Sequence, residues 1–433
     1  RLETARQSEL LLANLLAPPG VGNLSQLLSQ QEHLRFFDAR PVGLSSLSEY
    51  GSGGDWRQAA TVFGTINGFS YAFDSIYESL NGQQPNGQSE NRQFILTLKQ
   101  RVTPDDEAYF QIGHLEYEAG DVGNYYDPAA AKVDFHVREK QEPTLYAGWH
   151  HTWSPGSHTL LLAARLTDRL TLQDPRPNVP FLVQSGGVTD EIQSPQPFFL
   201  PLTLATTNDF TLYSLELQQI WETPRHALIV GGRWQTGEAE THGRLDPLFP
   251  GPLVTYFNEQ DGRGDFERAS LYGYYHWRIG DQLQVIGGLS YDFLSFPENM
   301  DLPPISAEEV SHESVSPKVG VLFAPWGRGL FRASYAQSLG GLYFDNSVRL
   351  EPTQIGGFNQ AFRSLAPESV AGLVPGTKFE TAGLGFDQSF ASGTWIGVEA
   401  EWLTSDGTRS IGVLTNSFFI PFADSPGQTS ETL

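Results

Sequence analysis

The sequence has no cysteine and only one methionine in 433 residues. Without cysteine there is no disulfide framework, no thiolate zinc site and no thiol nucleophile. The absence also suits an oxidising export compartment. Basic residues are scarce: 27 Lys and Arg stand against 50 Asp and Glu, a net charge of −23. Phosphate binding needs the opposite balance, so nucleic acid is excluded as a partner, as is docking on an anionic leaflet through a basic patch. No run of about 18 apolar residues occurs, and mean hydropathy is −0.30, so no membrane-spanning helix is available. That test is blind to a β-barrel, in which only every second residue faces lipid.

The two ends lack expected features. Arg1 opens the chain without a charged n-region, apolar stretch or cleavage site, so a leader is expected to lie upstream or to have been removed. Thr432-Leu433 reads as the exit from a loop, without the terminal aromatic of outer-membrane barrels. Further sequence is expected beyond both ends.

What is abundant points to strands and tight turns: 44 Gly, 28 Phe, 16 Tyr and 9 Trp. One helix is expected at the start, with Leu2, Ala5, Leu10, Leu12, Ala13 and Leu16 on its apolar face and Pro18-Pro19-Gly20 ending it. A shorter helical turn is expected through Leu24, Leu27 and Leu28. Residues 1–33 are therefore set apart as the end of a periplasmic module, or as a linker or pore-occluding segment.

From about residue 34 the apolar period becomes two. Leu283, Val285, Gly287, Leu289, Tyr291 and Phe293 alternate with Gln282, Gln284, Gly288, Ser290 and Asp292. Tyr213, Leu215 and Leu217 alternate with Ser214, Glu216 and Gln218, and Ile396, Val398, Ala400 and Trp402 with Glu399 and Glu401. Segments of about ten residues with one greasy and one polar face are what a membrane-spanning strand requires. Short turns at 103–106, 154–156, 222–224, 280–281, 325–327 and 392–393 alternate with long connections at about 81–91, 120–143, 175–208, 241–265, 297–314 and 340–378. That asymmetry is the mark of short periplasmic turns and long extracellular loops. The fold class expected is all-β, a transmembrane antiparallel up-and-down barrel over residues 34–433. About fourteen strands are counted, the first pair being 36–50 with 59–80 and the last 379–391 with 393–413. Closure is expected at sixteen to twenty strands in the complete protein.

The polar faces supply the candidate lumen and substrate-path residues. Arg165 and Arg169 are read against the apolar series Leu160, Leu162, Ala164 and Leu166, Glu216 within its own alternating strand, and Arg233 against Leu228, Val230 and Trp234. Lys318 and Arg332 are expected to pair with Asp387, Glu399 and Glu401. Tyr272 and Tyr274 are the best members of an aromatic path for sugars. Mixed charges along a pore set its selectivity, although any single one of them can simply fill the interior. Tyr109, Tyr117, Trp149, Trp153, Trp221, Trp234, Tyr275, Trp277, Trp326, Trp395 and Trp402 suit interface girdles. His150-His151 invites a hydrolase reading, but neighbours on a strand point to opposite faces and no nucleophile motif accompanies them. The acids Asp121, Asp127, Asp261, Asp265, Glu308, Glu309 and Asp345 lack the spacing of a calcium loop and read as solvated surface. No catalytic residue, metal ligand or cofactor is assigned.

Two stretches resemble a known family. Leu330-Phe331-Arg332-Ala333-Ser334-Tyr335, a loop with Leu350-Glu351-Pro352, and Phe379-Glu380-Thr381-Ala382-Gly383-Leu384-Gly385-Phe386-Asp387 resemble the late barrel of TonB-dependent receptors. The order within Leu350-Glu351-Pro352 departs from the family's usual one. Arg349 to Ser369, with Gly356-Gly357-Phe358-Asn359-Gln360-Ala361-Phe362, is similar to large barrels that carry tetratricopeptide repeats before the barrel. The resemblance covers about residues 315–415. It implies the outer membrane of a Gram-negative bacterium, lipid around the barrel, and transport with a periplasmic energy-coupling protein or a repeat module as partner. The leading expectation is a receptor or pore that moves a solute; the alternatives are an export porin and a structural barrel anchoring surface loops.

Overall fold

The computed structural model describes residues 8–19, 41–122, 130–176, 182–185, 188–191, 202–247, 258–300, 305–341, 348–360, 375–417 and 420–432. After a short helix, α1 (Ser8–Leu16), the wall begins with β1 (Gly43–Tyr50), β2 (Trp56–Ile66), β3 (Phe69–Leu80) and β4 (Ser89–Arg101). It continues with β5 (Asp106–Ala119), β6 (His136–Ser154) and β7 (Ser157–Asp174). A separate small hairpin, β8 (Leu182–Ser185) with β9 (Val188–Glu191), precedes β10 (Leu202–Glu222), β11 (His226–Pro247), β12 (Asn258–Ile279) and β13 (Leu283–Asn299). β14 (Ser306–Trp326) and β15 (Gly329–Leu339) lead to a second small hairpin, β16 (Gln354–Ile355) with β17 (Phe358–Asn359). β18 (Lys378–Ser389), β19 (Trp395–Ser417) and β20 (Ile420–Thr432) complete the wall.

Sixteen strands form one sheet in which each pairs with its neighbour in sequence, antiparallel throughout. The expected up-and-down architecture is present, but with sixteen described strands rather than about fourteen. The stretch 59–80 is two strands, because Asn67-Gly68, both at positive φ (49° and 80°), turns the chain between β2 and β3. An Asn-Gly pair is the strongest short hairpin signal, since both residues tolerate the left-handed conformation of a type I′ turn. β20, which lies past the last expected pair, supplies the other additional strand. Short and long connections alternate over most of the wall, with two residues between β6 and β7 and thirty-eight between β15 and β18, but the long connections expected at 241–265 and 297–314 shrink to ten and six residues because β11 to β14 extend into them.

The alternation sorts each strand into two faces. On β10, Tyr213, Leu215 and Leu217 are exposed outside while Ser214, Glu216 and Gln218 are buried inside. Trp149, Trp153, Trp221, Trp234, Tyr275, Trp277, Trp326 and Trp402 stand on the outer face, but Tyr109 is buried on the inner one and Trp395, though exposed, shares the inner face of β19 with Glu399.

The inner face is partly covered by the chain's own segments. α1 lies on it, with Leu11 and Leu15 buried in a cluster that includes Tyr109, Tyr146, Leu160 and Leu162. The face it presents is therefore not the expected one, for Ala13 is exposed and Leu12 and Leu16 are only partly covered. Gly148 makes room for the Leu15 side chain. A lysine of β4 closes the helix: Lys99 Nζ donates to the carbonyls of Asn14, Leu15 and Ala17 and pairs with Glu107 at 3.1 Å. Those carbonyls have no partner within the helix, and a cation there also opposes the helix dipole. The expected turn at Leu24–Leu28 lies outside the described residues.

Candidate functional site: a hairpin held inside the wall

The connection between β15 and β18 enters the interior and presents residues 348–360 to the inner face of β10–β15. Its β16–β17 hairpin turns through Gly356 and Gly357, at φ 58° and 83°, the two-residue turn that glycine permits. The fit leaves no space for a side chain. A Cβ on Gly356 would stand 2.5 Å from the Ala333 carbonyl and 3.2 Å from the Gly320 Cα.

Polar side chains of the wall clasp this segment. Tyr274 donates to Glu351 Oε1 at 2.5 Å, and Lys318 Nζ lies 3.2 Å from the same oxygen and 2.5 Å from Gln360 Oε1. Gln360 in turn donates to Tyr274 at 3.1 Å and to the Pro352 carbonyl at 2.5 Å. Arg349 Nη1 lies 3.1 Å from Glu351 Oε2, so one buried carboxylate has two cations and a phenol on it. Gln218 donates to the Leu350 carbonyl at 2.7 Å and Arg233 to the Val348 carbonyl at 3.3 Å. Tyr272 bridges Gln218 and Glu216, donating to Glu216 Oε1 at 2.7 Å. At the hairpin tip Arg332 donates to the Gly357 carbonyl at 3.1 Å, with its guanidinium 5.0 Å from the Phe358 ring centre. It also pairs with Asp387 at 2.9 Å and Glu399 at 2.7 Å. Deeper still, Arg268 joins Asp292 at 2.9 Å and the Leu339 carbonyl at 3.1 Å, fixing the point where the connection leaves β15.

Of the residues singled out from sequence, Glu216, Arg233, Tyr272, Tyr274, Lys318, Arg332, Asp387 and Glu399 therefore lie around this one segment. Glu401 lies on the same face as Glu399, exposed, opposite Gly383 in register. Lys318 does not pair with Asp387, Glu399 or Glu401; its partners are Glu351 and Gln360, because the inserted segment comes between them. Arg165 and Arg169 are a correction. The register sets them opposite Tyr213 and Asp209, on the outward face. Arg165 lies 6.0 Å from the Tyr213 ring centre, and Arg169 pairs with Asp209 at 2.5 Å. The polarity of β7 is inverted because α1 packs against its inner leucines. Tyr272 and Tyr274 meet edge-on at 6.1 Å, buried and hydrogen-bonded to Glu216 and Glu351, so neither offers an open aromatic surface. Sequence reading did not single out Arg268, and met Arg349, Glu351 and Gln360 only within motifs. Asp292 stood in the polar half of an alternating run and was the legible signal.

An up-and-down antiparallel sheet with a greasy outer face, and with part of its own chain packed on the inner one, is the architecture of an outer-membrane barrel wall. The family described as "TonB dependent receptor-like, beta-barrel" matches residues 105–386, about two-thirds of the chain, and the protein belongs to that family. Its place is the outer membrane of a Gram-negative bacterium. No curated protein matches. Among solved structures, the copper transporter OprC is similar at 12% identity and TM-score 0.57, over 85% of this chain and 54% of that one. BauA, the ferric preacinetobactin receptor of Acinetobacter baumannii, gives 12% and 0.56 over 90% and 57%. The unliganded ferric citrate transporter FecA gives 14% and 0.56 over 90% and 54%. The chain thus spans little more than half the length of these proteins, and at such identity the likeness is one of fold.

Proposed function

We propose that this chain is the barrel of an outer-membrane uptake receptor that carries a metal-bearing solute inward. On this reading the β15–β18 connection is its internal constriction. One observation carries the reading: a buried carboxylate, Glu351, locks the inserted segment to Lys318 and Tyr274 of the wall. A wall bonded this way to its own loop does not offer free diffusion, so passage requires the segment to move, which is work for an energy-coupling partner in the periplasm. Membership of the receptor family supports the coupling, and the copper and ferric-siderophore proteins of similar fold support the class of cargo. Lipid surrounds the exposed apolar face. A tetratricopeptide-repeat region before the barrel, which rests on the sequence resemblance, and closure at sixteen to twenty strands, which rests on the strand count, remain parts of the proposal.

The test is conductance of the protein in a planar bilayer. The expected result is silence, with steady channels when residues 351–360 are replaced by a short Gly-Ser linker. Large steady conductance of the unaltered protein overturns the reading and favours an export porin. A strain lacking the protein is expected to grow poorly on a scarce chelated metal, and normal growth on every such source would favour a structural anchor.

A further inference from the structure

The inner face of β6 and β7, at their short-turn end, carries His150, Thr152 and His158. Thr152 stands directly opposite His158 in register, and His150 is two residues before it on the same face. His150 Nε2 lies 3.0 Å from His158 Nδ1, and Thr152 Oγ1 lies 3.4 Å from each of them. Ligand atoms held about 2.0–2.1 Å from a tetrahedral ion are about 3.3–3.4 Å from one another. The two Thr152 distances match this spacing, and the two ring nitrogens, now at hydrogen-bond length, need to part by only a few tenths of an ångström to complete one face of such a site.

Behind His150 is a carboxylate. Glu107 Oε2 lies 3.8 Å from His150 Nδ1 and is itself held by Lys99. A carboxylate on the far nitrogen orients a ligating imidazole and keeps its proton there, leaving the other nitrogen's lone pair for the metal. At 3.8 Å the two are beyond hydrogen-bond length, so Glu107 orients the ring only once it closes on Nδ1; with the proton there, the Nε2 lone pair of His150 faces His158 Nδ1. Only a proton or a cation between them makes that approach favourable.

We propose that His150, His158 and Thr152 bind one divalent transition ion of the imidazole-preferring class, Cu2+ ahead of Ni2+ or Zn2+. Among the described residues no group of three or more His, Cys, Asp or Glu stands in metal-binding range. The remaining positions on the ion therefore go to water or to a ligand the ion brings with it. Such a site exchanges its ion readily, and it lies on the inner wall within two residues of the Gly148 contact with α1. The proposal holds whether or not the barrel conducts.

Electron paramagnetic resonance during Cu2+ titration of the whole chain in detergent tests it. One equivalent is expected to bind with two imidazole nitrogens in the signal, and the His150→Gln/His158→Asn double variant is expected to lose it. Glu107→Gln is expected to weaken binding about tenfold, the usual scale of an orienting partner. A two-nitrogen signal that persists in the folded double variant overturns the proposal. So does a count below two nitrogens in the unaltered protein, a measurement that does not depend on any variant folding.

Discussion

Lys318, Glu351 and Tyr274 are buried together, and their value lies in mutual satisfaction. Taking two charges out of water is costly, and the pair survives only because each is matched. Removing one partner leaves the other uncompensated, at a cost of about 3–5 kcal/mol. Lys318→Met is therefore expected to destabilise the folded barrel by that order in denaturant titration, and Lys318→Met with Glu351→Gln to recover part of the loss. Equal losses in the single and double variants would mean that the pair is not a unit. Lys318 and Glu216 were legible at this scale because single polar residues in an alternating strand identify the inner face. Their partners were not, since Glu351 and Gln360 come from a connection whose path no local pattern encodes. Arg165 and Arg169 misled because polarity, read alone, does not say which face is inside. The inner face of β7 is apolar where a helix covers it.

The two inserted elements, α1 and the β16–β17 hairpin, are held differently. The helix is held by two leucines and a lysine on its last carbonyls, the hairpin by glycine geometry and a ring of polar clasps. Gly356→Val sets a β-branched side chain at positive φ and against the Ala333 carbonyl, so the hairpin must leave its seat. The expected outcome is channel activity in a planar bilayer from a barrel that still folds. A silent, stable variant would show that the hairpin is not the seal. Strands of two residues carry no periodicity to detect, and Gly356-Gly357 was the only sign of this element in the sequence. The wall strands were readable from their period of two, whereas the β2–β3 turn was passed over although Asn67-Gly68 marks it.

For the whole molecule, strand length sets the position in the bilayer. β11 has 22 residues, and at about 3.3 Å each a strand of this size runs roughly 70 Å, well beyond an apolar band about 25 Å tall even when tilted. The outward faces change character accordingly. Near the short turns they carry Leu215, Leu217, Leu228, Val230 and Trp234; farther out they carry ion pairs such as Arg138–Glu118 and Arg169–Asp209 and the His242–Asp261 hydrogen bond. Leu217→Arg should therefore cost about 2–4 kcal/mol in unfolding from lipid vesicles, and Thr207→Arg near zero. Equal costs would place the membrane elsewhere on the wall. The two-sided loop asymmetry made the architecture plain from sequence, while strands continuing past the bilayer were hidden because their outer halves read as polar loop.

The clasp on the inserted segment also bears on the order in which the molecule assembles. Every wall strand bonds the one before it, so the sheet can grow by nearest-neighbour steps. Gln218, by contrast, reaches a carbonyl 132 residues away in the chain. Contacts of such long sequence separation are slow to form because the intervening chain must first be ordered. If the hairpin is the constriction proposed above, it is expected to dock after β10 to β15 are in place, so that a freshly inserted barrel leaks for an interval before the segment takes its seat.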